Sequence, residues 1–152
     1  MTMNREILFR GKSILTGIFI EGNLIIGRNC ETSIVWFNTK QKECWTSVCP
    51  YSVGQYTGLT DKNGNKIFEG DILHLTIPDG SIRHFVVEWA NESRTLKPLN
   101  GFRHDSNPIR ISGWCFNWEG HRLYPSVIDG VPDNERMEIV GNIHDNPELL
   151  KG

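Results

Sequence analysis

Nowhere in this chain do apolar side chains recur at helical spacing over the dozen or so residues that an amphipathic helix needs. Fifteen glycines and seven prolines interrupt its 152 residues instead. Such punctuation suits short strands joined by turns. The patterning therefore predicts an all-β fold with helix confined to single short turns. A chain of about 100–200 residues fits one domain, and this one is long enough to bury a core without disulfide or metal support. We expect a single β domain over 1–152, with an N-terminal hairpin region at about 1–52 and a barrel-forming part at about 53–152.

The strand candidates follow from β-branched and aromatic runs bounded by turn residues. Ile7-Leu8-Phe9 ends at Arg10-Gly11-Lys12. Ile18-Phe19-Ile20 and Leu24-Ile25-Ile26 flank Glu21-Gly22-Asn23, which reads as a hairpin turn, and Ser33 to Phe37 is a third strand. Pro50 marks residues 38–50 as edge strand or loop. In the middle, Gln55 to Leu59 and Lys66-Ile67-Phe68 surround Asn63-Gly64, a pair that adopts positive φ readily and so favours a hairpin. Glu69-Gly70 forms the next tight turn. Asp71 to Ile77 and Ile82 to Trp89 then extend a three-strand meander. Residues 90–113 are polar and read as a long loop. Trp114 to Trp118 alternates strictly, a second loop spans about Glu119 to Asn134, and Met137 to Asn142 is the last strand. At the end Asn146 is placed to cap one helical turn, with Pro147 first and Glu148 near its positive end.

Charge narrows the function. Sixteen basic residues against eighteen acidic ones give a formal net charge of −2, whereas phosphate neutralisation favours a basic excess in nucleic-acid binders. No apolar run approaches the ~20 residues of a membrane span, and the first residues lack a signal-peptide core. The expected location is cytoplasmic, where Cys30, Cys44, Cys49 and Cys115 remain reduced.

The run from Val53-Gly54-Gln55-Tyr56-Thr57-Gly58-Leu59-Thr60-Asp61-Lys62-Asn63-Gly64 through Ile67-Phe68-Glu69-Gly70-Asp71-Ile72 resembles the YopX family, carried by phages and prophages of bacteria. Arg5 to Lys12, Val86-Val87-Glu88-Trp89 and Glu138 to Leu149 match in the same order. Phe19 stands where relatives often have Trp, and Ser93 to Cys115 is longer than usual. The resemblance implies a β-rich fold and a mobile-element setting in a bacterial host. From the strands themselves we expect the YopX-like meander to close into a small, partly open, SH3-like barrel. It implies no reaction, and no catalytic residue carries over.

The residues that might carry chemistry have structural readings beside functional ones. Cys44 and Cys49 lack the close spacing of zinc ribbons, and Cys115 could meet His121 only through the fold; small apolar cysteines are the plainer reading. No metal and no cofactor is expected. Two carboxylates among Asp61, Glu69 and Asp71 could do acid–base work or hold Mg²⁺, and a hydrolase would use the Glu69 and Asp71 corner. They more simply organise turns, together with Gly54, Gly58, Asn63, Gly64 and Gly70. His144-Asp145 resembles a dyad, but strand neighbours point to opposite faces. Trp114, Phe116 and Trp118 share one face, with Tyr56 elsewhere; they are core residues or, if exposed, a stacking platform. Arg83, Arg94, Lys97, Arg103 and Arg110 could line a basic groove. The favoured function is a non-enzymatic protein-interaction module, acting on an unidentified host or phage protein and able to form a homo-oligomer. A nucleic-acid-binding barrel is the alternative, and a carboxylate hydrolase comes last.

Overall fold

A computed structural model describes residues 4–95 and 108–151. Thirteen strands alternate with three short 3₁₀ turns, so helix is confined to single turns as the glycine and proline spacing requires. The strands are β1 (Phe9–Lys12), β2 (Phe19–Ile26), β3 (Thr32–Phe37), β4 (Glu43–Ser47), β5 (Gly54–Thr60), β6 (Lys66–Phe68) and β7 (Asp71–Thr76). There follow β8 (Ile82–Arg94), β9 (Ile109–Trp118), β10 (His121–Leu123), β11 (Val127–Ile128), β12 (Val131–Pro132) and β13 (Glu138–Asn142). They form a six-stranded sheet ordered β4-β3-β2-β1-β5-β6, a five-stranded sheet ordered β10-β9-β8-β7-β13, and the small β11-β12 ribbon. All recorded pairings are antiparallel.

Four expectations are corrected. Arg10-Gly11-Lys12 is strand, not a terminator, and pairs with Phe19 to Glu21. Glu21-Gly22-Asn23 is not a turn: β2 runs straight through it, pairing with β1 up to Gly22 and with β3 from Asn23 onward. Glycine is needed there because a Cβ at Gly22 would collide with the Val35 carbonyl. A glycine between two β-branched runs thus marks a close crossing of backbones, which sequence spacing cannot tell from a hairpin.

The three-strand meander is also divided. β5 pairs with β6 and β7 with β8, but Glu69-Gly70 carries the chain from one sheet to the other. Gly70 takes φ +84°, donates its N–H to Val87 O at 2.9 Å and accepts from Ile143 N–H at 2.9 Å. Both of its peptide groups are thereby satisfied while the chain changes sheets.

The fourth correction concerns residues 90–113. β8 continues to Arg94 and β9 begins at Ile109, with Ala90 to Arg94 paired against Gly113 to Ile109. This ribbon extends beyond Val86, the last β8 residue paired with β7, so Asn91, Ser93, Arg110 and Ser112 make one of its faces wholly polar at little cost. That explains why its sequence looks like a loop. The second loop likewise holds β10, the β11-β12 ribbon and a 3₁₀ turn, Asp133–Arg136.

Neither strand order closes on itself among the described residues. A contact approaching closure lies in the N-terminal region: Ser13 bridges Val48, so the end of β1 meets the end of β4. The 3₁₀ turn Pro147–Leu150 falls where expected, but Asn146 does not cap it. Its side-chain oxygen accepts the Asn142 N–H at 3.3 Å instead.

The main core joins Leu73, Phe85, Val87 and Phe116 of the five-stranded sheet with Ile67 of β6 and with Met137, all nearly inaccessible. Ile34, Val35 and Val48 are buried within the six-stranded sheet.

Candidate functional site

The aromatic candidates do not assemble into one platform. Phe116 is fully buried in the core, and Trp118 packs against that core with the Arg83 guanidinium 4.1 Å from its ring centre. Trp114 meets Trp89 edge to face, ring centres 5.0 Å apart. Tyr56 lies in the other sheet, buried and 5.6 Å from the Phe68 ring. The alternation of β9 was legible, but burial along it was not.

The arginines are dispersed too. Arg83 pairs with Leu75 near the start of β8, whereas Arg110 lies opposite Ser93 near its end. At ~3.3 Å per residue these positions are roughly 30 Å apart. Arg110 donates to Asn91 Oδ1 at 2.9 Å. Arg94 is held by Glu92 at 2.7 Å and by the Arg122 carbonyl at 2.7 Å. Lys97 and Arg103 lie outside the described residues. On the same ribbon Glu88 accepts from Arg122 at 2.8 Å and from Asn117 at 3.0 Å. Glu92 accepts from the Tyr124 hydroxyl at 3.0 Å. That hydroxyl, ahead of the two arginines, keeps the Glu92 carboxyl below its usual range. Cation and anion alternate here, which makes a balanced surface instead of a positive one.

The acids of the central motif organise the backbone. Asp61 accepts N–H bonds from Asn63 and Asn65 at 2.9 Å each, and from Ile139 at 3.1 Å. Burial is the largest influence on its carboxyl and pushes upward, yet these backbone donors together bring it below the ordinary value. Asp71 is almost inaccessible and forms a 2.6 Å ion pair with Arg10 while accepting the Phe68 N–H at 2.7 Å. Burial pushes its carboxyl up, and Arg10 opposes that push. The Arg10 guanidinium lies between the Phe19 and Phe68 rings, 4.6 and 4.9 Å from their centres. Arg10 and Asp71 thus tie β1 to the start of β7, across the two sheets. The Glu69 carbonyl also approaches Arg10 Nη2, at 3.4 Å.

Among the turn glycines, Gly64 and Gly58 both take positive φ. Gly54 does not: it lies in β5, where a Cβ would approach the Glu69 carbonyl oxygen to 2.6 Å.

A nucleophilic cysteine finds no support at Cys115, whose thiol is pushed up to about 11, first by burial and then by Glu88. A thiol so placed stays protonated and inert. His144 and Asp145 follow β13 in a turn, not on a strand. Asp145 pairs with Lys12, and His144 packs beside Phe19 at 6.1 Å. Among the described residues, no group of three or more His, Cys, Asp or Glu side chains is arranged to hold a metal ion. No described helix is long and apolar enough to cross a membrane.

Sequence reasoning missed the most apolar open surface. Around the end of β1, Ile14, Leu15 and Ile18 are 60%, 94% and 64% exposed, and Trp45 on β4 is 59% exposed. Ile14, Leu15, Ile20 and Trp45 line a cavity of about 460 Å³, whose other walls are Ser13, Thr16, Thr46 and Ser47. Among the described residues, no charged side chain lines it. The available signal was the apolar pair Ile14-Leu15 after Lys12-Ser13, where a solvated turn would be polar.

Two open antiparallel sheets joined at a glycine corner, with acids spent on turns, define a mainly β protein that presents surfaces without a convergent catalytic set among its described residues. The model of the family described as YopX protein matches residues 9–151, and the chain belongs to that family. The crystal structure of protein EF1440 from Enterococcus faecalis is similar to it, with a TM-score of 0.51 and 21% identity. That likeness covers 97% of this chain and 99% of the other, and it shows the fold alone. None of the curated proteins matches.

Proposed function

We propose that this protein is a non-enzymatic protein-interaction module, used by a phage or prophage in the cytoplasm of its bacterial host. One observation carries the reading: the uncharged apolar cavity between the end of β1 and β4, with Leu15 projecting beside it. Contiguous apolar surface of this kind is stabilised by a partner's apolar side chains, because burial releases it from water at ~25 cal/mol per Å². β4 is also the last strand of its sheet, and up to Ser47, whose carbonyl accepts the Ile14 N–H at 3.0 Å, an extended segment from a second copy or a host protein can add beside it. In the same reading the chain acts as one domain over 1–152 and its sheets form a partly open, SH3-like barrel. The Ser13–Val48 bridge supports curling of this kind in the N-terminal strands. Nucleic acid is a weaker candidate, since the described arginines are dispersed and Arg94 and Arg122 are matched by acids.

The test is a pull-down from host lysate with the wild-type chain and Leu15→Asp in parallel, each with and without nuclease. A protein retained by wild type after nuclease and lost by Leu15→Asp is the expected result. Equal recovery by both proteins, or recovery of nucleic acid alone, would overturn the assignment.

A further inference from the structure

His74 and His84 face each other across β7 and β8, directly in register. Their ring centres are 5.4 Å apart, and His74 Nδ1 lies 3.3 Å from His84 Nε2. The outer nitrogen of each ring has its own partner. His84 Nδ1 is 2.9 Å from the Leu149 carbonyl oxygen, and His74 Nε2 is 3.3 Å from the Thr76 hydroxyl. A carbonyl only accepts, so His84 carries its proton on Nδ1 and turns an Nε2 lone pair toward His74. When Thr76 accepts from His74 Nε2–H, a second lone pair faces the first. Two lone pairs at this separation repel unless a proton or another cation lies between them.

We propose that His74 Nδ1 and His84 Nε2 chelate a divalent transition-metal ion of the kind imidazole prefers, with Zn²⁺ as its representative. The spacing suits that use. With Zn–N bonds of ~2.0–2.1 Å at a tetrahedral angle, two ligand nitrogens stand about 3.3–3.4 Å apart. A His74 Nδ1–H···Nε2 His84 hydrogen bond fits the same 3.3 Å, so the ion binds by replacing the proton between the rings. The Leu149 carbonyl and the Thr76 hydroxyl occupy the outer positions that orient metal-bound imidazoles in known sites.

His84 also lines a cavity of about 350 Å³ with Ile82, Val86, Trp118, Leu149 and Leu150. With two protein ligands, the remaining coordination positions fall to water or to a small anionic ligand. Glu138 lies opposite His74 on β13 and is engaged by Lys62, so it contributes charge nearby without being a ligand. The pair makes a two-ligand, open site, distinct from the docking surface at β4.

The test is titration of the whole metal-free protein with ZnCl₂, with MgCl₂ as control, followed by calorimetry and by imidazole NMR signals. One equivalent of Zn²⁺ should bind, perturb the His74 and His84 ring signals and leave His121 and His144 unmoved, while Mg²⁺ does nothing. His84→Ala and His74→Ala should each weaken binding at least tenfold, and Thr76→Val about tenfold through lost ring orientation. His121→Ala should bind as wild type does. Ring signals of His74 and His84 in the wild-type protein that ignore Zn²⁺ would overturn the site without recourse to any variant. So would Zn²⁺ affinity that persists in both alanine variants.

Discussion

The two large sheets spend their apolar residues differently. The five-stranded sheet turns Leu73, Phe85, Val87 and Phe116 inward, where each is at most 1% exposed. The six-stranded sheet buries Ile34 and Val35 toward one end of its strand order and Tyr56, Ile67 and Phe68 toward the other, yet leaves Ile26, Phe37 and Trp45 more than half exposed, as are Ile14, Leu15 and Ile18 in the turn that joins β1 to β2. The first sheet lines most of the main core, whereas β1 to β4 retain apolar surface that the described residues do not cover. Stability therefore resides chiefly in the core that the first sheet lines.

The sharpest way to break this comparison is to empty the core. Phe116→Ala should lower unfolding free energy by ~3–5 kcal/mol, read from urea denaturation. A loss no greater than that of an exposed residue would deny that the five-stranded sheet holds the molecule together. Next comes the tie between the sheets. Arg10→Met strands the buried Asp71 carboxylate and should destabilise by ~3–5 kcal/mol at neutral pH. Asp71 has a raised carboxyl value in the fold, so its native state takes up a proton more readily than the unfolded chain. The Arg10→Met deficit should therefore shrink as pH falls toward 4, and adding Asp71→Asn should recover part of it at pH 7.

Asp61 has the opposite sign. Its carboxyl is lowered in the fold, so its stabilisation is present above the unfolded value of ~3.9 and disappears as pH falls through the folded value. Asp61→Ala should destabilise by ~1–3 kcal/mol at pH 7 by leaving N–H donors without their acceptor. The difference from wild type should narrow at pH 3, as followed by denaturation midpoints. The smallest effect belongs to Leu15→Ser, which should move stability by no more than ~0.5 kcal/mol. A large loss there would place Leu15 in the fold and not on its docking face.

The all-β class, the Asn63-Gly64 hairpin and the strands around Ile72, Val87 and Phe116 were legible because each depends on neighbours within a few residues. Gly22 and Gly70 were not: one permits a strand to pass close to Val35, the other sends the chain into a second sheet. Both outcomes depend on backbones distant in sequence. The ribbon at 90–94 and 109–113 was misread because its one alternating stretch, Ile109 to Ser112, is only four residues long and stands among polar residues. The His74–His84 pair escaped notice since register alone brings the two rings together. The exposed Ile14 and Leu15 were visible as letters, but only the fold could show that nothing in the described chain covers them.

The pairing of β13 with β7 has a consequence for synthesis. Glu138 meets His74 across more than sixty intervening residues, whereas β1 to β4 pair with near neighbours in sequence. Loop closure of that span is the slower event, and the ribosome delivers the N-terminus first. During translation the hairpins around Leu15 and Trp45 thus have their pairing partners at hand while the last strand of the core sheet is still inside the exit tunnel. The exposed apolar residues at this end of the molecule are thus among the first that the nascent chain presents, well before the core sheet is complete.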